Sequence, residues 1–197
     1  SILFLILFYQ ILIIYFIPLS SPTRGDERHF VETIVHFKEI NISTLKDYKQ
    51  VIPPAVFVIY SLWGKLVGYE LAQLRILSVI IAFITFIFLF IFFRATIERK
   101  NFTIPLLILF MLNPYIIGFN VYIFTDMITI FFSILFCLSI LKNWQFGMFS
   151  SGIMMLLCRQ YSIIFLLAAA IYFLAKYFKG RRSEEHTSEL QSRHNLG

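Results

Sequence analysis

The sequence predicts an all-α fold: a polytopic transmembrane helix bundle of about six spans, with interfacial amphipathic helices in its first outward loop. Two observations carry this expectation. Hydrophobic residues make up 59% of the 197-residue chain and charged residues only 14%, with a mean hydropathy of +0.80, against roughly 25% charged in a soluble domain. The basic residues also fall in short clusters between apolar runs. That placement reads as an orientation signal, so the net charge of +6 gives no reason to expect nucleic acid as a partner. An integral, multi-pass protein of a bacterial inner or plasma membrane, or of the endoplasmic reticulum, is expected, with membrane lipids around it.

The first element is the apolar run 2–17, closed by Pro18 to Pro22. It is near the lower limit of about 17 residues for a span. No small-residue cleavage motif follows it, so a first span is favoured over a signal peptide. Residues 20–54 form the long polar stretch, in which acids and bases balance. Phe30, Ile34 and Phe37 recur at helical spacing there, which predicts an amphipathic helix lying on the membrane surface. Pro53-Pro54 opens the apolar segment 55–67. It is too short to cross a core of roughly 30 Å at about 1.5 Å per residue, so it is expected to be a second interfacial helix.

Residues 71–93 then form the second span, ending at Arg94, Arg99 and Lys100. Segments 103–119, 127–141, 146–157 and 162–175 supply the remaining four, with Lys142 and Lys176, Lys179 and Arg181 at alternate ends. This assignment puts the basic clusters of the connecting segments on the cytoplasmic side, as the positive-inside rule asks. Counting 55–67 as a span would reverse them. The same topology brings Asp26-Glu27, Asp126 and Arg159-Gln160 to the opposite, non-cytoplasmic face.

From Arg182 the composition changes abruptly, and the text over Arg182 to Ser192 resembles a translated sequencing adapter. Residues 182–197 are expected to be a non-native tail. Residues 1–181 are expected to be the transmembrane domain, with the natural chain expected to continue beyond Arg181; the chain begins at Ser1 with no methionine, so an incomplete start is expected as well. His186 and His194 lie in that tail, and no metal site or cofactor is expected. Cys137 and Cys158 both sit in apolar runs, where buried, inert thiols are expected.

Five ionisable or amide side chains stand out as candidate site residues. Asp26 and Glu27 lie one step outside the first span, where a carboxylate has the chemistry to take a proton from an attacking hydroxyl; the alternative is ordinary loop charge. Asp126 opens an apolar run, either as a helix cap or as a site-lining acid. Arg159 and Gln160 interrupt another. Arg159 there either snorkels to the interface or binds a phosphate with its planar donor array. His29 and His36 have no ligand constellation and are expected to be structural. Tyr115, Tyr122 and Trp144 fit an interfacial aromatic belt, and Asn41-Ile42-Ser43 matches a glycosylation acceptor pattern.

Taken in order, the acidic pair after the first span, Pro53-Pro54, Leu74-Arg75, Asn113-Pro114-Tyr115, Phe124-Thr125-Asp126 and Arg159-Gln160 resemble the N-terminal half of a GT-C superfamily glycosyltransferase. Within that superfamily the Thr-Asp and Arg-Gln elements are most similar to the alpha-1,2-glucosyltransferases of lipid-linked oligosaccharide synthesis and their bacterial relatives. The resemblance implies a polyprenyl- or dolichyl-phosphate sugar donor and a glycan or lipid-linked acceptor. It also implies that Asp26 is the catalytic base with Glu27 beside it, and that Asp126, Arg159 and Gln160 line the donor pocket. The chain has Ile52-Pro53-Pro54-Ala55 where the eukaryotic enzyme has Thr-Pro-Pro-Gly, and Arg159-Gln160-Tyr161-Ser162 where it has Arg-Gln-Thr-Asn. Two rivals stand beside this reading. A transporter or flippase predicts broken helices or inverted repeats near the midplane, and neither is evident from the sequence. A non-catalytic membrane subunit would use the acidic loop for docking.

Overall fold

The computed structural model describes residues 1–39, 46, 48 and 51–175, and these are all-helical. The chain divides into two units, Ser1–Gln160 and Tyr161–Gly197. The Asn41-Ile42-Ser43 pattern and the tail 182–197 lie outside the described residues.

Helix α1, Ile2–Phe16, is apolar on every side and turns one stripe, Ile6, Tyr9, Gln10 and Ile13, inward. Its other faces leave Leu3, Phe4, Leu7, Phe8 and Ile11 exposed. Gly25, at φ 55°, makes the left-handed turn that leads into α2, Glu27–His36. The 3.6-residue period of Phe30, Ile34 and Phe37 is realised as a helix, but its apolar face does not lie open to lipid. It is buried against α3, Ala55–Val67, with Val56, Phe57 and Tyr60 joining Leu74, Ile123, Ile128 and Cys158 in one cluster. Phe57 offers Phe30 a ring partner at 5.6 Å, and protein contact replaces the expected lipid surface. Each such buried side chain contributes about 1.5–3 kcal/mol.

Helix α4, Leu71–Thr96, starts at a reciprocal Glu70 and Gln73 capping box and runs three residues past the expected end. Its 26 residues extend about 39 Å at the α-helical rise. Among the described helices it is the single one long and apolar enough to cross a membrane by itself, and only 28% of its most apolar stretch is buried by protein.

The segment 103–119, expected as one span, is broken. Helices α5, Thr103–Met111, and α6, Pro114–Val121, meet at 70° and together pass the same length and apolarity test. Pro114 has no N–H to continue the ladder, and it holds Asn113 in an extended conformation at φ −61°, ψ 126°. Asn113 then caps the new helix by accepting from the Tyr115 N–H at 2.9 Å. The high average hydropathy of the run had hidden this break.

Helices α7, Thr125–Leu141, and α8, Gln145–Cys158, form a close antiparallel pair. A Cβ at Gly147 would lie 2.2 Å from the Trp144 ring and 2.5 Å from Ser139 Oγ, so only glycine lets the hairpin close. Helices α4 and α7 run parallel, with Arg75 beside Tyr122 at one level and Phe88 against Phe131 further along. The N-termini of α4 and α7 and the C-terminus of α8 therefore share one end of the first unit. Lys100 and Lys142 mark the other.

A second apolar cluster runs through α1, α4, α5, α6 and α7, centred on Ile6, Phe86, Leu107 and Met111. In the second unit the described residues 161–175 belong to the apolar helical stretch that starts at Gln160, with a 3-10 turn over Gln160–Ser162.

Candidate functional site

The acidic pair is divided by the first turn of α2. Asp26 is the residue before the helix and faces outward. Glu27, one step on, points into the protein and is fully buried. Its partner is Arg75, also fully buried, from the first turns of α4: Nε donates to Oε1 at 2.9 Å and Nη2 to Oε2 at 2.6 Å. This fork-to-fork pairing is the strongest form of carboxylate recognition.

Burying two charges is costly unless every remaining donor and acceptor is also used. Here they are. Arg75 Nη1 donates to the Leu19 and Ser21 carbonyls at 2.8 and 2.6 Å, and Nη2 to the Pro22 carbonyl at 3.2 Å. The Tyr122 ring lies 4.9 Å from the guanidinium, and Glu27 further accepts from the backbone N–H groups of Ile123 at 2.9 Å and Arg24 at 3.3 Å. One ion pair therefore ties together the loop after α1, the start of α2, the head of α4 and the turn before α7. All five guanidinium donors have a role in it.

The same turn leads into a second pair. Phe124 is the residue that caps α7, so Thr125 and Asp126 lie inside its first turn and Asp126 provides no side-chain cap. Asp126 accepts instead from Arg159 Nη2 at 2.8 Å, across the α7 and α8 termini. About a fifth of each side chain is exposed, 23% for Arg159 and 19% for Asp126, so this pair is open on one side where the Glu27 pair is closed. Gln160 is exposed and donates from Nε2 to the Val51 carbonyl, which brings the segment before α3 to the same place.

The five sequence candidates thus reduce to three environments. Asp26 is exposed, Glu27 is enclosed, and Asp126, Arg159 and Gln160 form a half-open polar rim. The turn at 122–126 touches the second and third directly.

Sequence reasoning singled out Arg75 as a motif residue but not as the partner of Glu27, which lies 48 positions away. Tyr122 was expected in an aromatic belt at the surface. It is instead 6% exposed and covers the Arg75 guanidinium, a role with no local signal in the sequence.

Among the described residues no group of three or more His, Cys, Asp or Glu is arranged to hold a metal ion. Comparison with protein-family models, characterised proteins and solved structures finds no match for this chain.

Proposed function

We propose that the chain is part of a multi-pass membrane glycosyltransferase of about six spans, which moves one sugar from a polyprenyl- or dolichyl-phosphate donor to a glycan or lipid-linked acceptor at the outer or lumenal face. Asp26 acts as the base. It takes the proton from the acceptor hydroxyl as that oxygen bonds to the sugar carbon, the bond to the lipid phosphate breaks, and configuration inverts. Arg159, oriented by Asp126 and flanked by Gln160, stabilises the charge on the departing phosphate. Glu27 does no proton work in this scheme. With Arg75 it fixes the loop from which Asp26 projects.

The single observation that carries the reading is the turn 122–126. Its Ile123 N–H is bound to Glu27 and its Asp126 to Arg159, so an outward carboxylate and a half-open guanidinium sit at the same end of the helices. The wide apolar exposure of α1 and the open faces of α4 support a surrounding of lipid.

A full-length form carrying Asp26→Asn, assayed in membranes with a radiolabelled lipid-phosphate hexose, should lose transfer by about 10²–10⁴-fold while still inserting. Retained transfer would remove Asp26 from the mechanism. A transporter is the second reading, favoured by the 70° break between α5 and α6, since broken helices line translocation paths. Sugar flux across sealed vesicles with no transfer to acceptor would select it.

A further inference from the structure

Helix α3 is apolar on two opposite sides. One side, with Val56, Phe57, Tyr60 and Gly64, is buried, and its apolar members pack with Phe30, Ile34 and Leu74. The other carries Ala55, Val58, Ile59, Leu62 and Leu66, of which Leu62 is 50% and Leu66 81% exposed. Its single charge is Lys65, in the last turn. Helix α2 has the contrasting design: its exposed residues are Arg28, His29, Glu32 and His36, with Val35 as the apolar exception. A helix open to water keeps a polar face, whereas one apolar all round is enclosed by protein or by hydrocarbon. The back of α2 suits water. The back of α3 does not, and its 13 residues are too few to cross a bilayer.

Two hydrogen bonds show what the open side of α3 adjoins. Trp63 Nε1 donates to the Gln73 carbonyl at 2.8 Å, and the Tyr69 hydroxyl, from the corner between the helices, donates to the Ser61 carbonyl at 3.0 Å. Together they fix α3 to the first turn of α4. Gln73 heads a line along α4 that continues through Ile76, Ile80 and Ile84 at spacings of three and four residues, and all three isoleucines are exposed. This is the helix long and apolar enough to cross a membrane. Trp63 lies one turn from both Ile59 and Leu66, so it joins the open side of α3 to the open stripe of α4.

Charge at the same corner marks a boundary with water. Lys65 is exposed, Lys38 holds its ammonium 5.5 Å from the Tyr69 ring, and the Glu70 carboxylate is engaged in capping α4. Indole, phenol and lysine are the side chains that favour the headgroup level, the lysine stem lying along hydrocarbon while its ammonium stays wet. We infer that α3 is immersed in the outer or lumenal leaflet, with Leu62 and Leu66 against lipid acyl chains, while α2 covers its other side and meets the water. Both helices were expected on the membrane surface; their opposite backs divide them between two solvents. Because α2 begins beside Asp26 and packs on α3, the immersed helix sets the depth of Asp26 against the bilayer. This inference rests on the membrane reading proposed above.

Nitroxide accessibility tests it. Leu62→Cys, Leu66→Cys, Glu32→Cys and Ile80→Cys, each in a background without Cys137 and Cys158, are spin-labelled in nanodiscs of phosphatidylcholine and phosphatidylglycerol and exposed to oxygen, which concentrates in hydrocarbon, and to a polar nickel chelate, which is excluded from it. The ratio of oxygen to chelate collisions at positions 62 and 66 should match that at 80 and be about tenfold higher than at 32, since polar solutes partition out of hydrocarbon. Preferential collision of 62 and 66 with the chelate overturns the immersion of α3. So does protection from both reagents, which would mean that protein covers this side, a second copy of the chain included. A label at 80 that meets the chelate removes the membrane reading itself, and this inference with it. If the cysteine-free background does not fold, a phospholipid carrying a diazirine on its acyl chain decides with the unaltered sequence: insertion at Leu62 and Leu66 but not at Glu32 supports immersion, and its absence from Leu62 and Leu66 overturns it.

Discussion

Glu27 and Arg75 are each fully buried, and each is neutralised by the other. Removing one charge strands its partner, so Arg75→Met or Glu27→Leu should lower unfolding stability by about 3–5 kcal/mol. Replacing both, as Glu27→Leu/Arg75→Met, should restore much of that loss. Chemical denaturation of the four proteins checks it, and strictly additive losses would show that the pair does not act as a unit. On the proposed function either single variant should also reduce transfer, because Arg75 anchors the loop carbonyls of Leu19, Ser21 and Pro22 and is itself held in place by Glu27. The two residues were visible in the sequence as a charge beside a span and an Arg at a helix head. Their union was not, since a contact between distant residues leaves no periodicity behind it. The opposite holds for Asp26, whose exposure follows from its place before the helix.

At the scale of elements, α2 and α3 were legible because their causes are local: a 3.6-residue apolar period in one, a proline pair and a short apolar run in the other. What covers α2 was not, because periodicity gives the width of an apolar face and leaves its partner open. The α5–α6 break failed for a different reason. Asn113-Pro114 was on the page, but hydropathy averages across it and a proline does not change the average. Within the α2–α3 layer, Tyr60 bonds to Ser78 at 2.7 Å. Its phenol is pushed well above the ordinary range, first by burial and then by the nearby Glu27 charge, against the lowering effect of the Ser78 bond. Burial pushes Tyr48 the same way, to about 12. A raised folded-state value means that the stabilising contribution is complete below the unfolded value of about 10 and is lost as pH rises above it. Unfolding measured at pH 8 and pH 11 should therefore show a larger loss for the wild type than for Tyr60→Phe, even though Tyr60→Phe starts about 1 kcal/mol lower through its unpaired Ser78. Equal losses would mean that Tyr60 does not resist ionisation.

Across the whole molecule the decisive feature is the separation of charge between two ends. Arg94 lies in the last turn of α4 and Arg99, Lys100 and Lys142 follow the C-termini of α4 and α7, whereas Asp26, Glu27, Asp126 and Arg159 gather where those helices begin. The sequence made this separation readable once the segment 55–67 was taken as a helix that does not span, because a parity error there would exchange every later end. Accessibility labelling tests the arrangement most directly. Asp26→Cys, Arg99→Cys and Gln160→Cys, each exposed and each placed in a background without Cys137 and Cys158, are treated in sealed vesicles with a maleimide that cannot cross the bilayer. Positions 26 and 160 should react from the same side and position 99 from the other; reaction of 26 and 160 from opposite sides would contradict the shared site.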